Sequence, residues 1–231
     1  SRSNLWAQSL DSEDAPIQNV ISMNKKTRLL MGFLVLVVIA AYGLAVNLPT
    51  FISKSPALDT GKALAQPMEL LAFDLVDHRG KPFQYENLKK KWSLVFFGYS
   101  SCPDVCPTTV YKLAEIYKLL GQDTALSQPP QVVFISIDPE RDTPEKLKKY
   151  LASFNPEFIG VTGSLNEIKK ITSKLSVYFQ KVGDNDGENY LYEMNHTAGI
   201  FLTNPDGKLV ASFKPTANPE ELSLDIKRIL L

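Results

Sequence analysis

Cys102 and Cys106 are the only thiols in the chain of 231 residues, and His78 and His196 are its only imidazoles. Thiolate and imidazole chemistry therefore has few places to occur. In the stretch SCPDVCP the thiols stand four residues apart, so on a helix both sulfurs share one face, within reach of a common metal ion or of each other. Pro107 suits a first helical position, which puts Cys106 near a helix N-terminus where unpaired N–H groups and the dipole favour thiolate and lower its pKa. Such a pair can hold a soft ion, attack a disulfide, or simply close into a structural disulfide.

A metal ion needs at least one further ligand, and the candidates are His196, His78 and the thioether of Met194. His78 lies in the polar turn Asp77-His78-Arg79-Gly80 and reads as solvated surface; Met194 reads as a loop packing residue. His196 stands immediately before the predicted strand Thr197 to Thr203, whose leading loop would face the cysteine turn in a thioredoxin-like sheet. Two thiolates and one imidazole suit Cu(I) in a roughly trigonal site, and the nitrogen helps the same set tolerate Cu(II). A plain disulfide, with His196 bonded to a loop carbonyl, stays open beside this reading. A Cys2His zinc site also stays open, although no general base stands at helical spacing nearby. Among the acids, Asp138 and Asp104 could tune the site, while Asp142 and Thr143 read as helix capping with a surface ion pair.

The elements that must position these groups are legible from periodicity. Leu70 to Val76 and Lys81 to Tyr85 flank the Gly80 turn as an opening hairpin. Ser93 to Tyr99 and Val132 to Ile137 are apolar runs of buried-strand type, each followed by an amphipathic helix. The cysteines thus fall where the first of these strands gives way to its helix. Phe158 to Val161 is a short strand, Ser164 with Glu167 forms a capping box, and Lys208 to Phe213 pairs with Thr197 to Thr203 across Asn204-Pro205-Asp206-Gly207. Asn218 caps the last helix. This β-α-β-α-β-α-β-β-α order with an extra N-terminal hairpin is an α/β sandwich compatible with a thioredoxin-like core.

Residues 1–28 read as a polar cytoplasmic tail without a fold of its own, and 29–48 as one transmembrane anchor. The run LLMGFLVLVVIAAYGLAV is uncharged, with Lys25, Lys26 and Arg28 on its N-terminal side and the next basic residue at Lys54, so everything beyond it faces outward. A cleaved signal peptide is the other reading, and it exports the same domain. Residues 49–67 read as a spacer and 68–231 as the domain. With 25 basic and 25 acidic side chains, the net charge gives no reason to expect a nucleic-acid partner.

The motifs FFGYSSCPDVCPTT and VVFISIDPERDTPEKLKKY, then one histidine before TAGIFLTNPDGKLV, resemble the Sco/SenC family of copper-binding assembly factors for cytochrome c oxidase. The resemblance covers about residue 68 to the C-terminus. It implies a thioredoxin-like fold, one copper ion on Cys102, Cys106 and His196, and delivery to the dinuclear copper centre of oxidase subunit II. It also implies an inner-membrane, single-pass protein with a periplasmic domain, a copper donor protein, and a thiol reductant to keep the cysteines open. The alternative it leaves is a thiol-disulfide oxidoreductase acting on the subunit II cysteines, with Cys102 and Cys106 as the redox pair. CxxxC instead of CxxC, and a histidine where redox relatives place a proline, favour the metal.

Overall fold

The computed structural model describes residues 24–47, 56–183 and 192–231. The tail expected before Met23 and part of the expected spacer lie outside the described residues. Two units are distinct: an N-terminal one, and a folded one from Ser53 to Leu231. In the first, helix α1 (Lys25–Asn47) carries the apolar run and is long and apolar enough to cross a membrane.

The folded unit is built on an eight-stranded sheet containing β1 (Gly61–Met68), β2 (Asp74–Asp77), β3 (Pro82–Gln84), β4 (Ser93–Gly98), β5 (Gln131–Ser136), β6 (Ile159–Thr162), β9 (Ile200–Thr203) and β10 (Leu209–Phe213). Their order is β1-β10-β9-β4-β5-β6-β2-β3, with β4, β5 and β6 parallel. A separate two-stranded ribbon pairs β7 (Phe179–Val182) with β8 (Glu193–His196) antiparallel. Every residue of β4 is buried, as its unbroken apolar run requires of a central strand.

Helices α2 (Val105–Gly121), α3 (Pro144–Ala152), α4 (Leu165–Lys174) and α5 (Pro219–Leu230) cover the sheet; α2 packs on α5, and α3 on β6. The Thr143, Ser164 and Asn218 side chains accept the N–H groups that open α3, α4 and α5. Only half of the expected capping box forms at Ser164, because the Glu167 carboxylate instead accepts the Asp74 N–H at 3.0 Å.

The sequence reading needs correcting in three places. Residues 61–67, expected as spacer, form most of edge strand β1, in which no residue is buried and which so lacks the alternation that marks a strand. Helix α2 begins two residues before Pro107, at Val105. The β7–β8 ribbon was not expected, because its strands are short and half-exposed.

Candidate metal centre

The Cys102 to Cys106 turn joins the buried end of β4 to the start of α2, and three features hold it there. Gly98 ends β4 with no side chain; a Cβ there would lie 2.9 Å from the Cys106 Sγ, so only glycine lets α2 sit this close to the strand. Asp142, fully buried, accepts the Ser100 N–H at 2.9 Å and the Ser100 and Ser136 hydroxyls, which tethers the loop before the cysteines. The Cys102 N–H donates to the Tyr99 carbonyl at 3.2 Å. Asp142 thus fastens the cysteine loop, a role beyond the capping expected of it.

Asp104 is the N-cap residue of α2 yet makes no side-chain cap bond. The Cys102 Sγ fills that role, accepting the Cys106 N–H at 3.5 Å. Both thiols are free; Cys106 is buried and Cys102 is partly exposed. The expectation of a lowered Cys106 pKa is corrected here. Burial raises it far above the usual thiol range, outweighing the Tyr99 backbone N–H that favours the thiolate. Without a compensating cation Cys106 is a neutral thiol.

His196 ends β8, and the ribbon brings it to the cysteines. Its Nε2 lies 3.7 Å from the Cys106 Sγ, and its Nδ1 stands 3.3 Å from the Thr197 carbonyl. A carbonyl only accepts, so Nδ1 carries the proton and the Nε2 lone pair is left toward the sulfur. Burial holds the His196 pKa below its ordinary value, which keeps the ring neutral and able to ligate. Bonds of about 2.3 Å to sulfur and 2.0 Å to nitrogen meeting near 120° span about 3.7 Å, so this pair is already spaced for one ion. Among the described residues no three such side chains are gathered at metal-ligand distance, so the set closes only on a further movement.

A cavity of about 240 Å³ opens beside these groups, lined by Tyr99, Cys102, Asp104, Met194 and His196 among others. Among the described residues Asp104 and Glu193 are the charged members of its lining, so the mouth is acidic. Met194 lines this cavity, and the histidine is not in the bare loop that was expected.

Behind the ribbon, Asp138 accepts the Tyr192 hydroxyl at 2.7 Å and the Arg141 guanidinium, which stacks 3.7 Å from the Tyr192 ring centroid and donates to the Tyr192 carbonyl at 2.8 Å. Arg141 also faces Tyr99, whose ring meets His196 edge-on at 6.2 Å. Asp138 therefore acts through the ribbon, never touching the thiols. Arg141 and Tyr192 were missed in the sequence; only the run of charges after a buried strand hinted at them. His78, expected as solvated, is half-buried: its Nδ1 accepts the Gly160 N–H at 2.8 Å, far in role from any metal.

Residues 66–231 match the family model described as SCO1/SenC. A SCO2-like protein of Rickettsia conorii is 41% identical over 151 residues, covering 65% of this chain and 71% of that one. The structure of Bradyrhizobium japonicum ScoI with copper bound is 42% identical, with a TM-score of 0.60 over 68% of this chain and 97% of that one. Yeast Sco1 with copper bound is 32% identical, with a TM-score of 0.63 over 70% and 88% of the two chains. Fold, family model and relatives agree: this is a member of the SCO1/SenC family, with its thioredoxin-like fold.

Proposed function

We propose that the chain binds one copper ion through Cys102, Cys106 and His196 and delivers it to the dinuclear copper centre of cytochrome c oxidase subunit II. The single observation that carries this reading is the 3.7 Å approach of a neutral imidazole nitrogen to the buried Cys106 sulfur, with a second thiol in the same turn. Two sulfurs and one nitrogen are a soft set that suits Cu(I), and the copper-bound relatives support the choice of ion. Copper is cargo here. Its positive charge supplies what the buried Cys106 lacks, so uptake drives proton release from the thiol. Release to a partner reverses that step.

Helix α1 would tether the domain to the inner membrane with the basic Lys25, Lys26 and Arg28 side inward and the domain in the periplasm. In that oxidising space a thiol reductant keeps the pair open, and a copper donor protein loads it. A second reading is favoured by one observation. The partly exposed Cys102 and the buried Cys106 have the exposures of an attacking and a resolving thiol, which suits reduction of the subunit II cysteines.

The test uses the full-length chain in detergent with reduced thiols, measuring copper stoichiometry and disulfide reductase turnover. One copper per chain, lost in Cys102→Ala and Cys106→Ala and weakened in His196→Ala, supports delivery. Rapid reductase turnover indifferent to His196→Ala, without stable copper uptake, replaces it with the oxidoreductase.

A further inference from the structure

The carboxyl ends of the parallel strands β5 and β6 and the inner face of the ribbon enclose a cleft of about 540 Å³, more than twice the cavity of about 240 Å³ beside the thiols. Its wall is mostly apolar: Ile137 and Pro139 follow β5, Leu165 opens α4, and Phe179 and Met194 come from the ribbon. A volume of roughly 300–1,000 Å³ with few polar groups in the wall suits a small molecule. The charges in the wall narrow its chemistry. Asp138 holds the Arg141 guanidinium, and Lys181 holds Glu140 at 2.8 Å. Lys169, also in the wall, makes no ion pair among the described residues, so the cleft keeps one uncompensated positive charge.

We propose that this cleft binds an amphiphilic monoanion, a hydrocarbon body carrying one carboxylate or phosphodiester, and that the bound molecule braces the ribbon from beneath. Lys169 takes the head and the apolar wall takes the body. Phe179 stands directly across from His196 in the ribbon, and Lys181 across from Met194, so these four side chains share the half-buried face. A molecule packed under Phe179 therefore supports the strand pair that carries the imidazole and holds it toward the cysteine turn. By linkage, copper and the amphiphile each tighten the other by the same factor. The binding stands on the cleft alone; its effect on copper rests on the copper-binding reading above.

Full-length protein in phosphatidylcholine nanodiscs is dialysed against radiolabelled octanoate, with uptake by empty nanodiscs subtracted. Saturation at one octanoate per chain is expected. Lys169→Glu should weaken it about tenfold by reversing the charge, and Leu165→Trp should abolish it by filling the cleft. Octylammonium, the same body with the opposite charge, should not saturate. Nanodiscs containing phosphatidylglycerol separate the two sources of such a head: a lipid-filled site loses octanoate binding there, and a site for soluble carboxylates keeps it. On copper-loaded protein, saturating octanoate should slow Cu(I) release to a chelator about fivefold. Lys169→Glu should remove that slowing and leave release without octanoate unchanged.

Uptake that never saturates, or that octylammonium and Lys169→Glu match, marks plain partition into an apolar surface and overturns the proposal. A cleft that ignores octanoate while Leu165→Trp blocks copper transfer to a partner protein is a protein-docking surface, which overturns it too. Saturable binding that leaves copper release unmoved overturns the brace. If Leu165→Trp does not fold, Lys169→Glu decides, since that side chain is exposed. Wild type that takes up no copper sinks the copper reading, and octanoate binding still decides this one.

Discussion

The two segments that meet at the site are held in opposite ways. The cysteine turn is clamped: it grows from an entirely buried strand, rests on Gly98, and is fastened through Ser100 to the buried Asp142. The histidine comes on a two-stranded ribbon whose inner face is only half-buried, its arms joined by the Thr197 N–H to the Tyr178 carbonyl at 2.8 Å and the whole held by Tyr192 over Arg141. Two strands alone are barely stable in water. The difference teaches how a site can bind tightly and still let go: the thiols form a fixed cradle, and the imidazole is the member that can withdraw.

The sharpest way to break this contrast is to remove one ligand from each side. Cys106→Ala deletes the fixed sulfur and should take copper from one per chain to none in a stoichiometric titration under reducing conditions. His196→Ala leaves two thiolates, which still suit Cu(I), and should weaken Cu(I) about 10–100-fold while abolishing stable Cu(II). Equal losses from both variants would mean the ribbon is as much part of the cradle as the turn.

Acidity should act on the turn before the ribbon. Burial holds the Cys106 proton to far above neutral pH, so copper must displace it, and affinity rises about tenfold per pH unit for that one proton. His196 has the opposite shift: its pKa is held below the ordinary histidine value, so its protonation competes only toward acid pH. Copper affinity measured from pH 6 to 8 should therefore climb with pH in wild type and in His196→Ala alike. A flat profile in wild type would refute a protonated Cys106.

Asp142→Asn tests the clamp itself. The carboxylate accepts from Ser100 and Ser136 in a fully buried place, and a hydrogen bond to a charged acceptor contributes about 1.5–3 kcal/mol. At roughly 2–4 °C per kcal/mol for a domain of this size, the melting temperature should fall by several degrees. Calorimetry of the metal-free protein reads this directly, and an unchanged melting temperature would show that the loop is held by other contacts.

These contacts mark where the sequence could be read and where it could not. The cysteine pair, the strand before it and the helix after it are local, and the apolar runs 93–99 and 132–137 gave themselves away because strands buried on both faces cannot be polar. His196 stood out because imidazoles are so few. Asp142 read as a surface cap, since its partner Ser100 is 42 residues distant and only the fold makes the acid buried. The ribbon was hidden for a different reason. Phe179-Gln180-Lys181-Val182 and Glu193-Met194-Asn195-His196 alternate too weakly and too briefly to show a period, and the Asp138 and Arg141 cluster that holds the adjoining Tyr192 lies far upstream.

The mildest test loosens the ribbon without touching a ligand. Tyr192→Phe keeps the ring under the Arg141 guanidinium and removes only the hydroxyl that Asp138 accepts, leaving the buried carboxylate with Arg141 as its remaining side-chain partner. The loss is about 1.5–3 kcal/mol for a single bond to a buried carboxylate, so global melting should move by several degrees. Because the strain falls on the arm that carries His196, the Cu(I) release rate to a competing chelator should rise severalfold, while stoichiometry stays at one. If the arm is the gate, release responds more than melting does. Should Tyr192→Phe and Asp142→Asn change release in proportion to their melting temperatures, the ribbon has no special part in letting the ion go.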